Sequence, residues 1–169
     1  MNRFARVAVS VLPAILILAA EPVYKAKVGY APEQPVPYSH KTHLSMGLKC
    51  SNCHQPDAEG FAMSFPKETF CMGCHNSVKK DSPHIAKVAE AAKTGKPIEW
   101  ARVYQQPEMV WFSHDIHVMD AKLGCETCHG KLEDMAVVAK ARLLDMKDCM
   151  DCHAKASAPN GCSTCHPSQ

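Results

Sequence analysis

The sequence predicts a mainly α-helical and irregular fold with little β structure and an internal duplication. Three observations support this prediction. The pentapeptide Cys-x-x-Cys-His occurs five times in 169 residues. Apolar residues recur at helical spacing in two short stretches. Two segments, 38–90 and 110–169, carry their motifs in the same order, which is the mark of an internal repeat. The length is consistent with one domain or two small ones.

The five pentapeptides use all ten cysteines. Two thiols at this spacing bond to the two vinyl groups of one porphyrin, and the histidine that follows ligates the iron as proximal ligand. A disulfide scaffold would give no reason for these histidines, and a zinc ribbon needs no fixed Cys-Cys-His triplet. We therefore expect five covalently bound c-type haems. The attachment cysteines and proximal histidines are Cys50, Cys53 and His54; Cys71, Cys74 and His75; Cys125, Cys128 and His129; Cys149, Cys152 and His153; and Cys162, Cys165 and His166.

The other five of the ten histidines are candidates for the sixth iron ligand on the distal side. Two pairs of the form His-x-x-His precede a haem motif, and one histidine stands alone at a predicted helix start. The first copy holds three candidates for two haems, so one of them is expected to ligate a haem of the second copy. Met146, just before a haem motif, is an alternative because thioether sulfur also ligates haem iron. The candidate histidines are His40, His43, His84, His114 and His117.

The N-terminal segment 1–20 is expected to be a signal peptide or signal anchor. Arg3 and Arg6 precede an uncharged, mostly apolar run from Val7 to Ala20. As a helix this run spans about 21 Å, less than the roughly 30 Å hydrocarbon core of a bilayer. Cleavage after Ala20 would place Leu18 at the minus-three position, so an uncleaved anchor stays an alternative. Both interpretations place the chain in the periplasm or at the periplasmic face of the inner membrane.

The rest of the chain divides into a proline-rich tether, 21–37, and a pentahaem domain, 38–169. Ser82, Pro83 and Gly95 frame a predicted helix over 83–94. Apolar spacing predicts a second helix over 131–143. Between the copies, 96–111 is expected to be an ordered linker whose aromatic residues pack on porphyrin faces or form a docking patch.

The ratio of haem to polypeptide decides how the fold is stabilised. About 150 mature residues around five haems leave about 30 residues for each, too few for a conventional core. We expect a small multihaem cytochrome c fold organised around stacked haems. Without residues 1–20 the chain has 17 basic and 17 acidic side chains, and the haem propionates make the holoprotein moderately acidic. This charge argues against nucleic-acid binding.

The run Tyr38-Ser39-His40-x-x-His43, with its counterpart Phe112-Ser113-His114-x-x-His117, resembles the class III multihaem cytochromes c. The resemblance implies that the first histidine of each pair ligates the haem attached just downstream, and that the second ligates another haem. The segment 96–104, together with Cys125-Glu126-Thr127-Cys128-His129-Gly130, resembles the pentahaem subunit of alternative complex III, a quinol-oxidising membrane complex. This implies redox proteins, including subunits of such a complex, as partners.

The expected function is electron transfer, because haem iron ligated by two histidines exchanges electrons without binding a small-molecule substrate. We expect a subunit of a quinol-oxidising respiratory or photosynthetic complex and not an enzyme in its own right. A soluble periplasmic electron shuttle is one alternative. Another is a multihaem reductase of nitrite, hydroxylamine or a metal oxyanion, which would need an iron with a free distal position.

Overall fold

The structure, a computed structural model, describes residues 21–166. The expected signal peptide or anchor, 1–20, lies outside the described residues, as do 167–169. Within 21–166 the one β pairing is an isolated antiparallel bridge between Pro56 and Met63. No helix in this part of the chain is both long and apolar enough to cross a bilayer. The prediction of a mainly α-helical and irregular fold is confirmed.

Seven short α-helices carry most of the regular structure, and three turns of other helix types lie between them. A π-helix begins directly after the first histidine of the second His-x-x-His pair and contains the second one, and two 3-10 helices lie in the tether and after the third haem motif. The α-helices are α1 (His40–Ser45), α2 (Cys50–Cys53), α3 (Glu68–His75), α4 (Pro83–Thr94), α5 (Glu126–His129), α6 (Met146–Lys155) and α7 (Cys162–Cys165); the π-helix is Asp115–Asp120, and the 3-10 helices are Val23–Lys25 and Leu132–Asp134.

The helix predicted over 83–94 is confirmed as α4, and its ends show why the sequence signals suffice. The Ser82 side chain accepts a hydrogen bond from the His84 N–H, and Pro83 occupies the first turn. Gly95 ends the helix in the left-handed conformation with φ 72°, which glycine adopts without a Cβ clash. These signals are local, so they act whatever surrounds the helix.

The helix predicted over 131–143 is wrong. Only Leu132–Asp134 form a 3-10 turn, and the residues after it are non-helical. The backbone groups of this segment bond to distant parts of the chain instead of to each other. Lys140 N–H donates to the Tyr30 carbonyl over 2.8 Å, and its own carbonyl accepts from Gly29 N–H over 2.8 Å. The Met135 carbonyl accepts from Lys41 N–H over 3.0 Å. These partners compensate for the helical bonds that the segment does not make.

Residues 21–37 lie against the rest of the molecule. The buried Lys140 side chain donates from Nζ to the Val23 carbonyl over 2.8 Å and lies 5.6 Å from the centre of the Tyr104 ring. Gln34 makes two hydrogen bonds to the backbone of Ala101, one donated over 3.0 Å and one accepted over 3.1 Å. These bonds hold the segment against both the linker and the second copy.

Few apolar side chains are buried within residues 21–166. Val36, Val88 and Val103 are the buried hydrophobic residues of this part of the chain. Large apolar side chains are exposed along both copies, and Trp111 of the linker is 56% exposed. Three valines are far too few to stabilise a chain of this length at about 1.5–3 kcal/mol for each fully buried side chain. The polypeptide therefore needs another apolar body to cover these surfaces.

Candidate haem centres

The ten cysteines lie on or beside five short helices and are unpaired. In α2 and α7 the two cysteines are the first and last residues of a single turn, and α3, α5 and α6 hold the other motifs at their C-terminal ends or along their length. One helical turn brings the two thiols of each motif to the same side and leaves the following histidine at the helix end or just past it. This is the local geometry that covalent attachment to one porphyrin requires.

Four of the five proximal histidines face a second imidazole from the candidate distal set. His40 and His54 have ring centroids 6.5 Å apart and planes inclined by 16°. His114 and His129 repeat this arrangement at 6.4 Å and 8°. The second member of each His-x-x-His pair faces the next motif: His43 lies 6.2 Å from His75, and His117 lies 5.9 Å from His153.

These separations fit one metal ion between each pair of rings. An imidazole nitrogen binds a first-row metal at about 2.0–2.1 Å, and it lies about 1.2 Å from its own ring centre, so two opposed ligands place their ring centres about 6.4 Å apart. Direct ring stacking would instead bring the planes closer together, into the shorter part of the usual 4.5–7 Å range. The pairs are those that the class III resemblance implies, and iron ligation by these residues remains a prediction.

Hydrogen bonds at the second ring nitrogen orient most of these imidazoles. When Nδ1–H donates to a carbonyl, the tautomer is fixed and the Nε2 lone pair is free for a metal. Seven histidines have a backbone carbonyl within 2.6–2.9 Å of Nδ1. These seven are His43 with Ser39, His54 with Ser64, His75 with Val78, His114 with Phe61, His117 with Ser113, His153 with Pro159, and His166 with Met109.

Burial favours the neutral imidazole at His40 and His129. Burial first, then the neighbouring His54 and His43, lowers the pKa of His40. Burial, followed by His114 and His54, lowers the pKa of His129. The neutral form is the one that ligates a metal. The His40 Nδ1 atom is also buried without a hydrogen-bond partner, an imbalance that fits a ring oriented by a bond at its other nitrogen.

Two aromatic residues repeat one arrangement in the two copies. Tyr38 stacks on His43 at 4.4 Å and 19°, and meets His40 edge-on at 4.9 Å. Phe112 stacks on His117 at 4.5 Å and 28°, and meets His114 edge-on at 4.9 Å. One aromatic ring thus contacts both candidate distal histidines of its copy. The sequence motif contains these residues, but only their repetition in both copies signals a positioning role.

Tyr104 supports the third motif in a way that the sequence does not show. Its ring meets His129 edge-on at 4.8 Å. Its hydroxyl oxygen accepts a hydrogen bond of 2.7 Å from Ala141 N–H. The linker thereby joins the proximal histidine to the non-helical segment after Leu132–Asp134. No periodicity or motif marks this contact, because both partners are distant in sequence.

The attachment sites follow one another in a defined spatial order. Burial, and then the adjacent Cys50 thiol, raises the pKa of Cys125, so the first motifs of the two copies are neighbours. Burial is also the main cause that raises the pKa of Cys71, of Cys128 and of Cys149, and in each case a thiol of another motif adds to it. The added neighbours are Cys53 for Cys71, Cys152 for Cys128, and Cys165 for Cys149.

The resulting order runs from the motif of His75 through those of His54, His129 and His153 to that of His166. The first and last of these motifs therefore form the two ends of the series. The two copies join through their first motifs, at Cys50 and Cys125. The extra motif of the second copy lengthens the series at one end only.

Two of the predicted ligands are not brought into such pairs. Among residues 21–166, no histidine ring faces His166 at the separation of the other four pairs, and none faces His84. His84 is an exposed residue in the first turn of α4, which packs against α3. Met146, the predicted alternative ligand, is 67% exposed at the start of α6.

Comparison with known proteins tests these features against a family. The family described as cytochrome c7 and related cytochrome c matches residues 36–95 and again 110–167. The chain belongs to this family. The two matches show that the sequence contains two copies of the cytochrome c7 unit, which confirms the internal duplication. Family members are multihaem c-type cytochromes that carry electrons, and this chain is one of them.

A curated relative agrees with the family. The multihaem cytochrome c subunit of a menaquinone reductase from Nitratidesulfovibrio vulgaris is 32% identical to the chain over 164 residues. The aligned region covers 79% of this chain and 77% of the relative. The expected class III character is consistent with both comparisons.

The described residues fit covalently bound haem. Unpaired thiols lie at all five motifs, opposed imidazoles lie at four of them, and large apolar side chains are exposed along both copies. The cysteines would hold the porphyrins, the paired histidines would hold the irons, and the apolar side chains would cover the porphyrin faces. A bound haem supplies a metal centre that accepts and donates one electron, and the polypeptide sets its ligands, its spacing and its exposure to water.

Proposed function

We propose that this cytochrome binds five covalently attached c-type haems and passes electrons along them in the order of the attachment sites. The observation that carries the proposal is the set of four opposed imidazole pairs, with ring separations from 5.9 to 6.5 Å. Each of the five Cys-x-x-Cys-His motifs attaches one haem, and the last histidine of each motif is its proximal ligand. His40, His43, His114 and His117 are the distal ligands of the first four.

The distal ligands come from the same copy as the haem that each one serves. His40 and His43 face the two motifs of the first copy, and His114 and His117 face the first two motifs of the second copy. The ligand exchange between copies that the histidine count suggested is therefore left out of the proposal. His84 is also left out, because no imidazole within the described residues faces it.

We further propose that the chain acts at the periplasmic face of the membrane as the electron-transferring subunit of a quinone-linked complex. The relative from Nitratidesulfovibrio vulgaris is a subunit of a menaquinone reductase, and the sequence resembles a subunit of the quinol-oxidising alternative complex III. Both are quinone-linked, although they imply opposite directions of electron flow. The apolar run at 7–20 supports export to the periplasm.

The number of haems is tested on the purified holoprotein. Denaturation followed by extraction with acidified acetone should leave the colour on the polypeptide, and the haem-to-protein ratio should be five. Replacing both cysteines of one motif by alanine, for example Cys71→Ala with Cys74→Ala, should lower the ratio to four. Extraction of the colour into the acetone, or an unchanged ratio in this variant, would contradict covalent attachment.

Membership of a complex is tested by fractionation and kinetics. A complex subunit should remain with the membrane fraction and co-purify with other proteins, whereas release with the soluble periplasm would favour the shuttle. In the membrane fraction, reduction of the haems by a menaquinol analogue would indicate quinol oxidation. Oxidation of the reduced haems by the corresponding quinone would indicate quinone reduction. The absence of both reactions would refute the link to quinones.

A further inference from the structure

His166 differs from the other four proximal histidines in what lies opposite it. Each of the others has a second imidazole 5.9–6.5 Å away. Within residues 21–166 no histidine ring occupies that place at His166. The His166 imidazole is nonetheless oriented like the rest, because its Nδ1 lies 2.9 Å from the Met109 carbonyl. Its Nε2 is therefore free to bind a metal ion, but no second imidazole of the described residues lies opposite to bind the same ion.

The remaining histidine, His84, belongs to another part of the molecule. It lies in the first turn of α4, where its N–H donates to the Ser82 side chain. Helix α4 packs against α3, which carries the motif of His75 at the opposite end of the series of attachment sites. Within the described residues no imidazole faces His84 at the separation of the four pairs.

The methionines near His166 do not replace the missing histidine. Met109 reaches the imidazole with its backbone carbonyl at Nδ1, the nitrogen that faces away from the metal. Met146 and Met150 lie on α6, the helix that carries the neighbouring motif of His153. The linker residue Trp111 also lies beside this motif, because its N–H donates a 2.7 Å hydrogen bond to the Cys165 carbonyl.

We propose that the iron held by His166 takes no sixth ligand from this chain and binds a donor ligand from outside it. Imidazole and carbon monoxide, which bind haem iron at a free position, are the probes for such a site. This inference rests on the proposed function, since it assumes that Cys162 and Cys165 attach a haem. The centre lies at one end of the series and next to the exposed Met109 and Trp111, so a donor can approach it from solvent. The other four irons are closed by two histidines each.

Spectroscopy of the purified, unmodified holoprotein tests the proposal. The haem count and complete reduction by dithionite are measured first, so that failure of haem attachment is recognised separately. Low-temperature electron paramagnetic resonance of the oxidised protein should then show one high-spin ferric centre among five. The reduced protein should bind one carbon monoxide for every five haems, and titration with imidazole should convert the high-spin signal to low-spin. Five low-spin centres that bind no carbon monoxide would overturn the proposal.

Two variants make the assignment specific. His84→Ala should change neither the spin count nor the binding of carbon monoxide, and the appearance of an additional high-spin centre would identify His84 as a ligand and refute the proposal. His117→Ala removes a distal ligand, so it should raise carbon monoxide binding from one to two per five haems. If that variant fails to mature, His114→Ala provides the same control. The spectra of the unmodified protein decide the question in either case.

The source of the natural donor is resolved by comparing two preparations. If a partner subunit supplies the donor, the intact membrane complex should bind no carbon monoxide, and the separated subunit should bind one per five haems. If the donor is a free small molecule, both preparations should bind carbon monoxide equally. A separated subunit that binds none contradicts the proposal.

Discussion

Replacing Gly130 by alanine should destabilise the protein strongly, because the substitution strains the backbone and also forces a clash. Gly130 directly follows the proximal histidine of the third motif and has φ 73° and ψ −174°, a combination that is essentially restricted to glycine. A Cβ atom at this position would lie 2.5 Å from the Ala141 Cβ. Ala141 has little room to move, because its N–H is bonded to the Tyr104 hydroxyl.

Backbone strain and overpacking together determine the expected loss of unfolding free energy. The backbone strain costs about 1–3 kcal/mol. Overpacking against Ala141 costs about 1–3 kcal/mol more. Gly47 offers a matched control, since it also has a positive φ of 87° but a Cβ there would meet no atom within 4 Å. Gly47→Ala should therefore cost only the backbone term for a left-handed residue, about 1–2 kcal/mol.

Thermal unfolding of the two holoprotein variants, followed by circular dichroism in the Soret and far-ultraviolet regions, measures this difference. At about 2–4 °C for each kcal/mol in a chain of this size, Tm should fall by about 12 °C in Gly130→Ala and by about 5 °C in Gly47→Ala. Equal shifts in the two variants would refute the reasoning. They would show that the segment carrying Ala141 moves aside without cost.

The remaining predictions concern ligation, a hydrogen bond, pH and maturation. His114→Ala should convert one low-spin iron to a high-spin form that binds carbon monoxide, and resonance and optical spectra should show this without a change in the haem count. Tyr104→Phe keeps the ring beside His129 but leaves Ala141 N–H without its acceptor, so the free energy of unfolding, measured in guanidinium chloride, should fall by about 1–3 kcal/mol. Burial lowers the pKa values of His40 and His129, and the proposed bonds to iron favour the neutral imidazoles further, so the unfolded chain binds more protons as the pH falls below the ordinary histidine value of about 6.5. Stability of the holoprotein from these two groups should therefore be complete above that value and decrease as the pH falls below it, which denaturant titrations of the holoprotein at several pH values would detect. Expression without haem attachment should give a chain with little helical dichroism, and a cooperative unfolding transition of such a chain would contradict the proposal that haem supplies the apolar core.

The sequence predicts those features that local chemistry decides. Helix α4 is framed by Ser82, Pro83 and Gly95, each of which acts within one turn of its own position. The five Cys-x-x-Cys-His motifs are local in the same sense. The duplication is visible because both copies keep the order of their motifs. Each of these signals is complete within a few residues, so the rest of the fold does not alter it.

The wrong helix prediction concerns contacts between distant residues. The apolar spacing over 131–143 is real, but Lys140 bonds to Tyr30 across more than one hundred residues, and helical periodicity contains no information about that partner. The histidine count is also silent about position. Ten histidines for five irons predict two for each iron, and within the described residues neither His84, on helix α4, nor His166 faces a second imidazole. Composition gives the number of ligands, and only the fold gives their positions.

The two copies meet at Cys50 and Cys125, and the additional motif of the second copy makes the two ends of the series different. Two similar halves that meet at their first motifs form a nearly symmetric series of attachment sites, and the two ends of such a series are equivalent. A motif added to one half removes that equivalence without disturbing the junction. An electron that enters at one end of the series therefore leaves from a different chemical environment at the other end. The additional motif thus lets the protein present different surfaces to its electron donor and its electron acceptor.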